Sequence, residues 1–214
     1  MKTKIVLAAL GLASFTLMRA AEPAGPVVAD ACCAAIKSAE KSCCAEEKSG
    51  APSARSLYQL DAVWANDAGA TVRLASLQGR PVVLAMFFTR CEYACPLIVD
   101  DMKRLGASLP ADIRAQAEFV LVSFDTARDT PAALAAYRQR MKLDASWTLL
   151  RGDATNVQEL AMLLGVKFKE DARGQFSHSN VITILNRAGE IVHQRAGLMG
   201  DVSDAAKAAT LAGK

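Results

Sequence analysis

An α/β domain, with a central mixed sheet, helices on both faces and an N-terminal β-hairpin, is what this chain of 214 residues predicts. Three observations carry that expectation. Two continuous apolar runs, PVVLAMFF at 81–88 and AEFVLVSFD at 117–125, read as strands buried on both faces. Stretches of helical spacing alternate with strand-like ones. VITILN at 181–186, the turn Arg187-Ala188-Gly189 and EIVHQ at 190–194 then read as a hairpin. Strand–helix–strand–helix–strand followed by a hairpin is a layered α/β arrangement.

The first residues, MKTKIVLAALGLASFTLMRAA, read as an export signal. Lys2 and Lys4 give a positive start, and Ile5 to Met18 is apolar apart from Ser14 and Thr16. That stretch is shorter than the roughly 20 residues of a membrane span. Cleavage after Ala20 or Ala21 would put Met18 or Arg19 at a position that prefers small residues. Residues 1–21 are therefore read as a signal peptide or a short membrane anchor. Either places the protein in the cell envelope, in the periplasm or on the outer face of the inner membrane. The segment carries three of the 25 basic residues and none of the 22 acidic ones, so the remainder is formally neutral. Nothing in that balance calls for a nucleic-acid partner or a polybasic membrane face.

Residues 22–55 are rich in Ala, Ser, Lys, Glu and Pro and poor in large apolar groups, and read as a Cys-containing flexible linker. From Ser56 to the end the composition is that of one domain. LYQLDAVWANDAGATVRLASLQGR predicts two short strands about the turn Asn66-Asp67-Ala68-Gly69. After the first buried strand, Leu97, Ile98, Met102 and Leu105 mark a helix from Pro96 to about Ser108. After the second, Thr130 caps and Pro131 opens a helix to about Met141. WTLL at 147–150 is a short strand; Asp153 or Thr155 caps a helix that ends at Gly165; a terminal helix begins near Ser203. The strand ending in Ser123-Phe124-Asp125 puts acidic residues at the edge where open α/β sheets hold their sites.

FFTRCEYACPLIVDDMKRL, at 87–105, places Cys91 and Cys95 where the first buried strand gives way to a helix. Cys95 directly precedes Pro96 and is expected at the helix cap, where the dipole and free N–H groups lower a thiol pKa. With 91–95 near helical, the two Cα atoms lie about 6 Å apart, within disulfide reach. A permanent disulfide around so short a loop would stabilise little. A redox couple and a metal site remain open. The chain has two histidines. His193, in the EIVHQ strand, is given no role. His178, in GQFSHSNVITIL, is expected in the loop before the hairpin, from which it can return beside the cysteine corner. Two thiolates and an imidazole form a soft set suited to Cu(I) and able to hold Cu(II). Structural zinc calls for a fourth ligand.

T-R-C-E-Y-A-C-P, then S-F-D-T-A-R-D-T-P, W-x-L-L-x-G-D, L-G-V, F-S-H-S-N and N-R-A-G-E-I-V, in that order over about 57–200, resemble the Sco/SenC family of copper-binding proteins. The resemblance implies a thioredoxin-like fold and copper held by Cys91, Cys95 and His178. It implies help in assembling the binuclear copper site of cytochrome c oxidase, the partner being the copper-bearing subunit. For some members it implies thiol-disulfide reduction instead. Asp125 matches an acidic family position and is expected to orient the histidine or tune the thiols. Two positions depart from the pattern, Glu92 and Thr126 standing where proline is common. Glu92 is expected to raise the thiol pKa slightly.

The cluster ACCAAIKSAEKSCC lies outside that pattern. Cys32 and Cys43 are eleven residues apart, as are Cys33 and Cys44, so both pairs share one face of a helix. They are candidates for an auxiliary Cu(I)-thiolate site or thiol relay, or else for disulfides. Two functions are carried forward. One is a copper metallochaperone of the envelope; the other is a thiol-disulfide oxidoreductase that reduces the cysteines of a target copper protein. A peroxide-reducing enzyme built on Thr89 and Arg90 is weaker, because it leaves the second thiol and His178 unused.

Overall fold

A computed structural model describes residues 53–214. The signal or anchor, nearly all of the linker, and Cys32, Cys33, Cys43 and Cys44 lie outside the described residues.

Seven strands form one mixed sheet. Trp64–Asn66 (β1) and Thr71–Val72 (β2) are the expected N-terminal hairpin, joined at Trp64↔Val72. The Asn66 side chain closes its turn by accepting from the Ala68 and Ala70 N–H groups. Val82–Phe87 (β3) and Glu118–Ser123 (β4) are the two continuous apolar runs, each buried throughout. Between them run Ala94–Ser108 (α1) and a single turn, Ala111–Arg114 (α2), too short to show a period in sequence. Pro131–Met141 (α3) leads to Trp147–Arg151 (β5), and Ala154–Leu163 (α4) follows. Both helix starts are capped as expected: Thr130 accepts from the Ala133 N–H and Asp153 from the Asn156 N–H.

Among the described residues two short strands, Phe168–Glu170 (β6) and Phe176–His178 (β7), pair only with each other. The chain closes with Val181–Leu185 (β8), Ile191–Ala196 (β9) and Ser203–Ala212 (α5). The sheet order is β2-β1-β5-β4-β3-β8-β9, with β3, β4 and β5 parallel and the outer pairs antiparallel.

Helices cover both faces, which is why β3 and β4 need no polar side. Right-handed crossovers put α1 and α3 on one face. The Phe87 ring, against Tyr137 of α3 with centroids 4.8 Å apart, marks that face. The register Val83↔Ile184 and Leu84↔Thr183 then turns Thr183 to the other face. There Gln194 joins the Thr183 hydroxyl to the Leu164 carbonyl at the end of α4.

Two expectations are corrected. Helix α1 begins at Ala94, not Pro96. Proline fits the first turn of a helix because its missing N–H would have no intrahelical partner there. His178 is not in a loop but ends β7; seven polar and small residues between Phe168 and Phe176 hid a hairpin of three-residue strands.

Gly152, the glycine of W-x-L-L-x-G-D, shows how closely β1 sits on the end of β5. A Cβ there would stand 2.7 Å from the ring of Trp64, a fully buried side chain. Gly152→Ala is expected to cost about 1–3 kcal/mol by overpacking. A shift in the urea midpoint measures it, and an unchanged midpoint would show that the indole moves freely.

Candidate metal centre

The carboxyl ends of β3 and β4 open onto one corner of the domain. The chain leaves β3 through Phe88, Thr89 and Arg90 to Cys91, then bends into α1. The start of α1 has a peculiarity. Its cap position, Tyr93, supplies no side-chain hydrogen bond. The acceptor comes from further back, since the Cys95 N–H donates to Cys91 Sγ at 3.3 Å. A cysteine sulfur thus takes the place of a capping oxygen.

The roles of the two thiols are the reverse of the expectation. Cys95 is fully buried in the first turn of α1 and is not its cap. Its thiol is pushed up, first because it donates to Cys91 and then by burial. Cys91 is half-buried and its pKa falls to about 3. The main cause is the hydrogen bond from the Cys95 thiol; the Cys95 and Tyr93 N–H groups add to it, and burial opposes them. The small upward push expected from Glu92 does not decide the outcome, because that side chain is exposed and its charge is screened by water. Among the described residues both cysteines are free thiols.

His178 approaches from the other face of the sheet. Its Nε2 lies 3.9 Å from Cys95 Sγ. Its Nδ1 faces the Ser179 carbonyl at 3.3 Å. A carbonyl only accepts, so Nδ1 carries the proton and Nε2 offers its lone pair toward the sulfurs. One donor atom from each of Cys91, Cys95 and His178 lies within 4.8 Å of the others. Three soft donors so close fit a soft ion without rearrangement of the backbone. A cleft of about 530 Å³, lined by Phe88, Cys91, Tyr93, Phe176 and His178, opens the group to solvent.

The ring of His178 is packed as well as aimed. It lies 5.1 Å from the Phe124 ring and 6.0 Å from Phe88, the latter edge-on. Phe168 stacks on Phe124 at 5.1 Å and Phe176 meets Phe88 at 5.2 Å. The hairpin β6–β7 is thus seated on the first residues beyond β3 and β4.

The structure places Asp125 at 1% exposure with its carboxylate on Arg128: Oδ2 accepts from Nε at 2.6 Å and Oδ1 from the Arg128 N–H at 3.1 Å. Its link to His178 therefore runs through Arg128 rather than by contact. Asp129 was missed in the sequence. Equally buried, it accepts from the Thr89 N–H at 2.9 Å, the Thr89 hydroxyl at 2.6 Å and the Ser123 hydroxyl. Arg140 donates to the Thr89 carbonyl. Together they fix the residue two before Cys91. The signal was the second aspartate of S-F-D-T-A-R-D-T-P, read only as the prelude to a capped helix. Thr89 and Arg90, the basis of the peroxidase reading, face elsewhere: Thr89 to Asp129 and Arg90 to the Gly174 carbonyl. His193 pairs opposite Ile184 on β9, away from this corner.

The lowered Cys91 pKa has a consequence for the metal-free protein. An unfolded thiol deprotonates near pH 8.5. The folded value is lower, so its contribution to stability is complete above about 8.5 and is lost as pH falls toward about 3. With Cys32, Cys33, Cys43 and Cys44 changed to Ser, ultraviolet thiolate absorbance is expected to keep one equivalent at mildly acidic pH. The Cys91→Ser variant of that protein should lose it. Both thiols protonated at about pH 6 would contradict the assignment.

A family model for SCO1/SenC matches residues 52–212. The "Putative copper-binding protein" of Stutzerimonas stutzeri is 34% identical over 155 residues, covering 70% of this chain and 74% of that protein. Two solved structures share the fold. Arabidopsis thaliana ScoI with copper bound aligns with TM-score 0.60 at 18% identity over 70% of this chain and 94% of that one. BsSco, described as a Sco-family cytochrome c oxidase assembly protein with a disulfide switch, aligns with TM-score 0.60 at 22% identity over 71% and 90%. With a thioredoxin-like sheet, a thiol pair at its strand–helix corner and a match across three quarters of its length, the chain belongs to the SCO1/SenC family.

Proposed function

We propose that this protein is a copper metallochaperone of the cell envelope. It takes Cu(I) or Cu(II) at Cys91, Cys95 and His178 and passes it to the copper-bearing subunit of cytochrome c oxidase or another envelope copper protein. The observation that carries the reading is the convergence of three soft donor atoms within 4.8 Å from two faces of the sheet. The copper named for the Stutzerimonas relative and bound in the Arabidopsis structure supports the choice of ion. The assembly role printed for BsSco supports the choice of recipient, and the apolar leader supports export.

Each residue has a distinct task. Cys91 meets the ion already as a thiolate. Cys95 gives up its proton when a cation replaces the hydrogen bond to Cys91, because the positive charge removes the penalty of burying a second thiolate. His178 offers its Nε2 lone pair beside the two sulfurs. Cys91 and His178 both line the open cleft, so an incoming ligand can add there before the buried sulfur lets go.

The thiol-disulfide reading draws on the same geometry. Cys91 thiolate would attack a target disulfide, forming a mixed disulfide and releasing one target thiolate. Cys95 would then attack Cys91 Sγ, releasing the second and leaving the pair oxidised. The hydrogen-bonded thiolate stabilises the reduced pair, which weakens it as a reductant. The geometry therefore favours metal binding.

His178→Ala, in the variant with serine at positions 32, 33, 43 and 44, separates the two. Cu(II) affinity is expected to fall by more than about tenfold, with thiol reactivity retained. Unchanged affinity for both copper states would leave the reductase as the better reading. The tail thiols are tested by the same titration: a Cu(I) equivalent bound by the full chain and lost on changing those four cysteines is expected. Equal stoichiometry would remove them from function.

A further inference from the structure

We infer that Arg128 is the positioning residue for the imidazole ligand, and that the loop 125–129 holds both halves of the site at once. The inference rests on the copper reading above. It begins from the isolation of the hairpin that ends in His178. A two-stranded hairpin is marginal by itself, and among the described residues β6 and β7 pair with no other strand. Clefts of about 530 and 240 Å³ lie along it, the first beside Cys91 and the second beside Asp125 and Val157. Its placement thus depends on a few contacts.

Ring packing on Phe88 and Phe124 supplies apolar area but little direction. Arg90 ties the hairpin turn through the Gly174 carbonyl; the directional tie that reaches a buried carboxylate is Arg128. Its Nε donates to Asp125 at 2.6 Å and its Nη2 to Glu170 Oε1 at 2.6 Å. Its guanidinium lies 5.5 Å from the centre of the Phe176 ring. It also passes so close under the hairpin turn that a Cβ on Gly174 would collide with it. Asp125 anchors one end in the interior, and Glu170 sits opposite Phe176, two residues before the ligand. Five residues, 125–129, span the arrangement. Asp129, next to Arg128, fixes Thr89 on the cysteine side; Arg128 fixes the hairpin on the histidine side. Arg128 donates to Asp125 and Glu170 rather than to sulfur or imidazole, so its influence passes through where β7 stands. A planar fork that bridges two carboxylates is what lysine cannot reproduce.

The test compares Arg128→Gln, Arg128→Lys, Glu170→Gln and His178→Ala in the full chain carrying serine at 32, 33, 43 and 44. Each is titrated with Cu(I) and Cu(II), and the Cu(II) form is examined for nitrogen superhyperfine structure by electron paramagnetic resonance. Arg128→Gln is expected to weaken Cu(II) about tenfold and to diminish the nitrogen pattern, while Cu(I) held by the two thiolates changes much less. Arg128→Lys should restore only part of the loss. Glu170→Gln releases the hairpin end without stranding the buried Asp125, so it carries the test if Arg128→Gln does not fold. It should weaken Cu(II) with the melting temperature unchanged, which a merely structural role would not do. Wild-type Cu(II) affinity and nitrogen pattern in both Arg128→Gln and Glu170→Gln overturn the positioning role. If His178→Ala also leaves Cu(II) unchanged, the imidazole is no ligand and it is the copper site itself that fails.

Discussion

The candidate metal centre exists because a short hairpin is seated on two phenylalanines at the end of the sheet. Phe88 and Phe124 follow β3 and β4 at equivalent positions, and their rings lie 5.4 Å apart. Strand alternation sets both on the face away from α1. Phe168, Phe176 and His178 then close over them. Such ring pairs contribute about 0.5–1.5 kcal/mol each beyond the area they bury. The imidazole is one of the packed rings, so its direction is fixed by the same surface that holds the hairpin. Slipping either strand by one residue would turn a phenylalanine to the other face and leave the histidine without a seat.

The cysteines are organised by a different rule, that the first N–H groups of a helix must find acceptors. In α1 one of those acceptors is a sulfur. A negative sulfur accepts better than a neutral one and lies near the positive end of the helix dipole. The buried Cys95 thiol adds a third donor. Every local preference therefore favours charge on Cys91 and a proton on Cys95, and the asymmetry follows from which thiol precedes the helix and which lies inside it. A closed disulfide would remove the acceptor and the donor together.

The sheet was legible in the sequence because its inner strands are apolar without interruption and its helices carry ordinary caps at Thr130 and Asp153. Cys91 and Cys95 were legible as a pair from spacing alone, but not their division of labour. Reading Pro96 as the helix start put Cys95 at the cap, whereas proline in the first turn moves the start back to Ala94 and gives the capping task to Cys91. His178 was a candidate from its place before the hairpin, family resemblance gave it the ligand role, and its element was missed. Strands of three residues, joined by Asp171, Gly174 and their neighbours, show no alternation long enough to register. Asp129 and Arg128 were hidden because their partners, Thr89 and Glu170, lie about forty residues away in opposite directions along the chain.

Burial assigns an order to the three donors. Cys95 is sealed in the helix, while Cys91 and His178 border the cleft. A partner's ligand can approach through that opening, so in the copper reading the rim donors are exchanged first and the buried sulfur last. The last bond is then the one whose rupture leaves a thiolate in an apolar site, an unfavourable state unless a proton arrives. Cys91, freed and again a thiolate, stands beside that sulfur as the acceptor for the returning S–H. Release is thus coupled to restoring the hydrogen bond between the two sulfurs, and the interaction that prepares the pair for an ion also favours letting it go.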